Sequence, residues 1–207
     1  MRIIETEADL AEGVAHLARV CPVWARVLPE IGPLPLRRRG DGFQAMASAI
    51  VAQQISVAAA DALWSRLDAA GLTLPENIAA ATEDDLRAAG LSRPKARYLQ
   101  GIAASGLDWP GLRDLPDDQA IAALVALPGV GVWTAEIYLK FALGRADVFA
   151  AGDLALQEAA RMMYGLADRP GPAALRQIAL PWQPWRAVAA RGLWAYYRLA
   201  KGREGIR

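Results

Sequence analysis

Apolar and polar positions along this chain recur with the period of helices, not strands. From Thr6 to Ala18, the residues Leu10, Val14, Leu17 and Ala18 fall on one helical face. Phe43 to Ala70 carries a second such pattern, broken at Gln53-Gln54-Ile55-Ser56, where Ser56 can cap the helix that follows. Thr82 with Glu83, Asp84 and Asp85 reads as an N-cap and an acidic first turn, and Gly90 as its stop. Further helices are predicted over Arg93–Ala104, Gln119–Ala126, Trp133–Leu143 and Asp153–Tyr164, with a last one from Pro184 to about Lys201. The stretch Pro29 to Pro35, followed by Arg37, Arg38 and Arg39, reads as a linker or extended arm. Alanine-rich segments punctuated by Gly and Pro, with few β-branched runs, predict an all-α protein.

Composition narrows the class. The chain has 207 residues, 54% hydrophobic and 22% charged, which excludes a disordered or collagen-like polymer. One cysteine, Cys21, leaves no disulfide framework and no multi-cysteine metal cluster within the chain. One histidine, His16, removes most histidine-based metal sites. The acidic start of the sequence is no signal peptide, and no apolar run approaches the roughly 18–20 residues of a membrane span. The expectation is an intracellular protein with no membrane partner.

The segment from Ala126 to Ala135 (Ala-Leu-Pro-Gly-Val-Gly-Val-Trp-Thr-Ala) carries the candidate chemistry. It places a Pro-Gly-X-Gly turn between two helices, which leaves backbone N–H groups open at the N-terminus of the second. Such an end attracts a phosphate oxygen through its dipole and its unpaired donors. Gly129 and Gly131 would let another backbone approach closely. A Gly-X-Gly turn is also a common tight connection with no ligand.

This stretch resembles the helix-hairpin-helix of the DNA base-excision glycosylase superfamily, where a Gly/Pro-rich loop and an essential aspartate follow. Here the loop is Gly144 to Gly152 and the aspartate is Asp153. Three stretches are similar to the DNA-3-methyladenine glycosylase II branch: Ala49 to Val57, Leu127 to Asp153, and Trp182 to Trp194. The resemblance implies the helix-hairpin-helix glycosylase fold, two helical subdomains with the active-site cleft between them. It places an N-terminal helix and arm in 1–39, a first subdomain in 40–125, and the hairpin, Asp153 and the C-terminal helices in 126–207.

The implied activity is that of a monofunctional DNA glycosylase in base excision repair. It would flip alkylated purines, such as 3-methyladenine and 7-methylguanine, out of duplex DNA and excise them by hydrolysis. Asp153 would stabilise the positive charge that develops on the sugar; it is equally placed to cap the helix after it. Trp133 and Trp194 would form an aromatic base pocket favouring cationic bases, although any of the seven tryptophans can serve as core. Trp24, Trp64, Trp109 and Trp185 are assigned to packing, and Trp182 is open between the two roles.

Further roles follow from the same resemblance. Trp133 stands where relatives that also cut the backbone carry a nucleophilic lysine, so water is the expected nucleophile and strand cleavage is expected to be absent. Lys140, further along that helix, reads as a solvated lysine. Gln53 and Gln54 sit where the family inserts a side chain into the gap left by the flipped nucleotide; Gln54 takes the place of a frequent leucine. Gly129, Val130, Gly131 and Thr134 would contact the DNA backbone. A monovalent cation, sodium or potassium, would sit on the carbonyls of Val125, Leu127 and Val130, with no cofactor needed for chemistry.

Rival readings are the same fold acting on deaminated or oxidised purines, a non-catalytic helix-hairpin-helix module binding damaged DNA, and a small-molecule enzyme using the turn for phosphate. No Walker lysine accompanies the last. The expected partner is duplex DNA, bound by a monomer. The formal net charge of +1 counts against a strongly basic DNA binder. Yet Arg186, Arg191, Arg198, Lys201, Arg203 and Arg207 face one acid, Glu204, at the C-terminus, and Arg93, Lys95 and Arg97 form a second basic cluster.

Overall fold

In a computed structural model of the chain, residues 1–202 are described. The C-terminal Arg203, Glu204 and Arg207 lie outside them. The order is α1 (Glu7–Val20), α2 (Pro22–Ile31), α3 (Phe43–Ala52), α4 (Val57–Ala69), α5 (Pro75–Ala80), α6 (Glu83–Ala88), α7 (Arg93–Ala103), α8 (Asp117–Val125), α9 (Val132–Phe141), α10 (Leu154–Tyr164), α11 (Pro172–Ile178) and α12 (Arg186–Lys201). Two short 3-10 turns, Gly111–Arg113 and Leu180–Trp182, complete it. Among the described residues the only β pairing is an isolated bridge between Ile3 and Arg145, and no helix is long and apolar enough to cross a membrane.

Starts and stops follow local chemistry. Thr6 and Asp9 form a capping box on α1, with Asp9 accepting the Thr6 N–H at 2.8 Å. Thr82 and Asp85 repeat it on α6. Ser56 caps α4 by accepting the Ala59 N–H at 3.2 Å. Three helices escape the sequence pattern: α2, α5 and α11. Each begins with a proline in its first turn, which reads as a breaker but fits there because that N–H has no helical acceptor. Pro29 lies in the last turn of α2, so the arm is shorter than the Pro29–Arg39 expected. The last helix starts at Arg186, after the turn that holds Pro184.

The chain divides into two compact units, and the boundary falls inside α9. Among the described residues, one unit comprises Arg39–Tyr138; the other comprises Met1–Arg38 and residues 139–202. The sequence boundary at 126 had grouped the hairpin with Asp153 and the C-terminal helices; the contacts group it with residues 39–125. Nor are residues 1–38 a separate piece. Trp24 and Leu17 are buried in the same core as Trp182, Trp185, Phe149, Leu156 and Leu193. Gly192 of α12 lets α2 come close, since a methyl group there would lie 2.6 Å from the Trp24 ring.

The other unit is built on α7, which packs against α3, α5 and α6. Its core includes Met46, Ile50, Leu67, Ile78, Leu86, Leu99, Ile102 and Leu124. Trp109 lies between Phe43 and Tyr138, with ring centroids 6.4 and 5.9 Å away. The Tyr138 hydroxyl accepts the Gly42 N–H at 2.7 Å, and burial pushes its pKa up to about 12.

Candidate active site

The hairpin turn is made by Leu127 to Gly131. Gly129 has φ +77°, and a Cβ there would meet the Tyr98 ring at 2.4 Å, so glycine is required by conformation and by space. The Val130 N–H donates to the Leu127 carbonyl at 3.3 Å. In α9 the Ala135 N–H reaches the Gly131 carbonyl at 3.0 Å, and amides ahead of it have no intrahelical acceptor. Gly131 and Val132 are exposed, whereas Val130 and Thr134 are buried, each 5% accessible. Thr134, expected to contact the DNA backbone, thus lies beneath the surface of the turn.

Residues 53–56 adjoin this turn within the same unit. The Gln53 side chain donates to the Gly129 carbonyl at 3.1 Å, so its amide is committed to the hairpin. Gln54 has φ +60°, a left-handed conformation that costs a non-glycine residue about 1 kcal/mol. Gln54 is exposed, as is Ile55 beside it. Ile55 was not singled out from sequence, because an apolar residue just before an N-cap is also an ordinary staple against its own helix.

Lys95 was grouped with Arg93 and Arg97 as a basic cluster. In the fold its ammonium donates to the carbonyls of Val51 and Gln53, each at 2.7 Å, and burial lowers its pKa. Arg93 and Arg97 both pair with Glu83 at 2.9 Å. The cluster is thus largely engaged internally. The C-terminal bases behave similarly: Arg186 pairs with Asp147 at 2.7 Å and Lys201 with Glu158 at 3.4 Å. Arg191 is buried, donating to the carbonyls of Ala187 and Leu36, and burial beside Arg37 and Arg38 lowers its pKa to about 10.

Asp153, in the other unit, is the N-cap of α10. Its Oδ1 accepts the N–H groups of Ala155 (2.9 Å) and Leu156 (3.1 Å), and only 6% of the residue is accessible. The loop before it is anchored throughout. Arg186 grips Asp147 with two bonds of 2.8 and 2.7 Å. Arg176 donates to the Phe149 carbonyl and Gln157 to that of Ala151. Main-chain bonds join Ile4 to Gly144, Ala146 to Arg2 and Ala187 to Ala146. A carboxylate so mounted has a fixed plane and position.

The aromatic candidates differ. Trp133, in the first turn of α9, is 40% accessible. Trp194 is half-buried, stacked on Phe141 at 5.8 Å with the Lys140 ammonium 4.2 Å from its ring centroid. Lys140 is fully buried, which overturns its reading as a solvated lysine; the apolar and aromatic face of α9 carries it into the core. Trp24, Trp182 and Trp185 are core residues, which resolves Trp182. Among the described residues no cluster of three or more His, Cys, Asp or Glu side chains could hold a metal.

Known proteins resemble this chain over most of its length. Residues 47–184 match the HhH-GPD superfamily of base excision DNA repair proteins. The alkylbase DNA glycosidase-like protein mag2 of Schizosaccharomyces pombe is 24% identical over 205 residues, covering 93% of this chain and 96% of that protein. The crystal structure of a DNA-3-methyladenine glycosidase from Bacillus halodurans superposes with a TM-score of 0.82 at 31% identity, covering 97% of this chain and 95% of that one. The 3-methyladenine DNA glycosylase of S. pombe, solved in complex with abasic DNA, gives 0.76 at 26% identity, over 92% and 97%. The chain belongs to the HhH-GPD superfamily of base excision DNA repair proteins.

Proposed function

We propose that the protein is a DNA-3-methyladenine glycosylase that flips alkylated purines from duplex DNA and releases them by hydrolysis, leaving the strand intact. The observation that carries this reading is Asp153, a carboxylate fixed by two helix amides at the end of a bolted loop. Cleavage of the glycosidic bond builds positive charge on the sugar, and a carboxylate that need not reorganise stabilises that charge best. Asp153 also serves to orient the attacking water. The exposed Trp133 indole offers a face on which a cationic, alkylated base is attracted more strongly than a neutral one. Trp194 contributes behind Phe141 and Lys140, as support and not as an open platform.

The hairpin grips a phosphate through the main chain of Gly129, Val130 and Gly131, which holds DNA without reading its sequence. Gln54 enters the gap left by the flipped nucleotide, with Ile55 as an apolar neighbour. The turn's oxygens suit a hard monovalent cation: Leu127 O accepts one long bond of 3.3 Å, and no main-chain N–H outside the helices reaches Val125 O or Val130 O among the described residues. Those three carbonyls would hold the ion, which supplies positive charge at the phosphate site. The enzyme works inside the cell, on DNA, as a monomer.

Strand cleavage requires an amine that can reach the sugar. Trp133 supplies none, and Lys140 is buried against Trp194 and Phe141. The test incubates the protein with duplexes carrying 3-methyladenine, 7-methylguanine, hypoxanthine or 8-oxoguanine and measures free base. Release of the two alkylated purines, lost in Asp153→Asn, is expected. Absence of release from every substrate would refute the enzyme reading, and nicking of abasic DNA by the wild type would refute hydrolysis alone.

A further inference from the structure

Two segments of the hairpin-bearing unit meet one face of α7. Lys95 holds the carbonyls of Val51 and Gln53 at 2.7 Å each. Tyr98 lies directly beneath Gly129, whose missing Cβ leaves room for its ring. Gly101 lies beneath Pro128, which a Cβ there would approach to 2.6 Å. Residues 95, 98 and 101 stand at successive three-residue steps, so they share one side of the helix. The 3.1 Å bond from Gln53 to the Gly129 carbonyl then ties the two supported segments together.

We infer that Lys95 is a positioning residue: it presets residues 53–56 so that Gln54 and Ile55 project before DNA arrives. The inference rests on the glycosylase reading for its consequence and on geometry alone for its existence. Val51 is in the last turn of α3, where carbonyls lack helical donors. A single ammonium is bonded to it and to the carbonyl two residues on, and the next residue, Gln54, has φ +60°. The side chains that protrude there are Gln54 and Ile55, both exposed. Order that would otherwise be imposed during base flipping is already present, which favours the flipped complex over simple attachment to the duplex. Arg93 and Arg97 on the same helix take no part, since both pair with Glu83.

The experiment uses Lys95→Met and Lys95→Arg in the full-length protein. Readouts are hydrogen exchange at residues 51–57, affinity for undamaged duplex, fluorescence of a 2-aminopurine beside the lesion, and single-turnover base release. Lys95→Met is expected to raise exchange at 51–57 by tenfold or more. It should reduce flipping and base release about tenfold while undamaged-duplex affinity stays within threefold. Lys95→Arg, which keeps donors on a bulkier head, should recover part of the loss. Combining Lys95→Met with Gln54→Ala should cost little more than the larger single loss. Unchanged exchange, fully additive losses, or an equal loss of lesion and undamaged-duplex binding overturns the inference. Should Lys95→Met not fold, the same exchange and release measurements on Lys95→Gln, a shorter and neutral side chain, decide it: both wild-type-like refutes the role. A wild type that releases no base, with exchange still raised by Lys95→Met, refutes the glycosylase reading and leaves the positioning role standing.

Discussion

The segment carrying Asp153 and the segment carrying the hairpin are both immobilised, but with different materials. Residues 144–152 are pinned by side chains from α10, α11 and α12 (Gln157, Arg176 and Arg186) together with main-chain bonds to Arg2, Ile4 and Ala187. The hairpin and residues 53–56 rest on α7 through the Lys95 ammonium, on each other through the Gln53 amide, and on the room that Gly129 leaves for the Tyr98 ring. The first segment leads to a side chain, Asp153, already bonded to two helix amides. The second presents backbone, and on the proposed reading its shape is what grips DNA.

If that contrast is right, damage to the two segments should separate chemistry from grip. The largest effect belongs to Asp153→Asn. Asparagine still caps α10, so stability should stay within about 0.5 kcal/mol, while base release falls about 10²–10³-fold or more. Thermal melting, duplex affinity and single-turnover release check all three. Gly129→Ala comes next. A positive φ and a 2.4 Å contact with the Tyr98 ring should cost about 2–3 kcal/mol and weaken binding to undamaged duplex as well as to lesion DNA. Comparable binding to wild type would show that the turn's shape is not what holds DNA.

Trp133→Ala sharpens the comparison, because it removes a side chain from the backbone-held segment. Loss of about 1–3 kcal/mol of lesion recognition is expected, with undamaged-duplex affinity unchanged; competition binding with the two duplexes measures the difference. Arg186→Ala should lower stability by about 1–2 kcal/mol, with base release reduced less than by Asp153→Asn. Urea unfolding and release assays on one preparation provide that check.

The smallest effect concerns pH. Arg161, bonded to Glu158 through both carboxylate oxygens, and then Lys201 bring the Glu158 pKa from 4.5 down to about 2. Because the folded pKa is lowered, the stabilisation is complete above about pH 4.5 and fades as pH falls toward 2. Acid unfolding of Glu158→Gln should therefore converge with wild type at the acid end of that window.

The sequence displayed those features in which local chemistry has one meaning. Ser56, Thr82 and Asp153 were legible as caps, and the hairpin as a Pro-Gly-X-Gly turn between helices. Features whose meaning depends on a distant partner were hidden. Pro22, Pro75 and Pro172 look like breaks until the helices behind them are packed. Lys95 looks like surface charge until α3 brings Val51 and Gln53 to it, and Lys140 looks solvated until Trp194 covers it. Gln53 and Gln54 are alike in sequence; only the fold commits one to Gly129 and exposes the other. Asp153 and Trp133 were both found on resemblance, and their surroundings distinguish a clamped carboxylate from an accessible ring.

The internal pairing of Arg93, Arg97 and Arg186 also bears on how the protein would search for damage. Cations tied to carboxylates release few counterions from DNA, so affinity for intact duplex should fall only gently with added salt. A glycosylase of this kind would leave undamaged sites quickly and sample many short stretches. Its long residence would be reserved for places where a base has already yielded to the pocket.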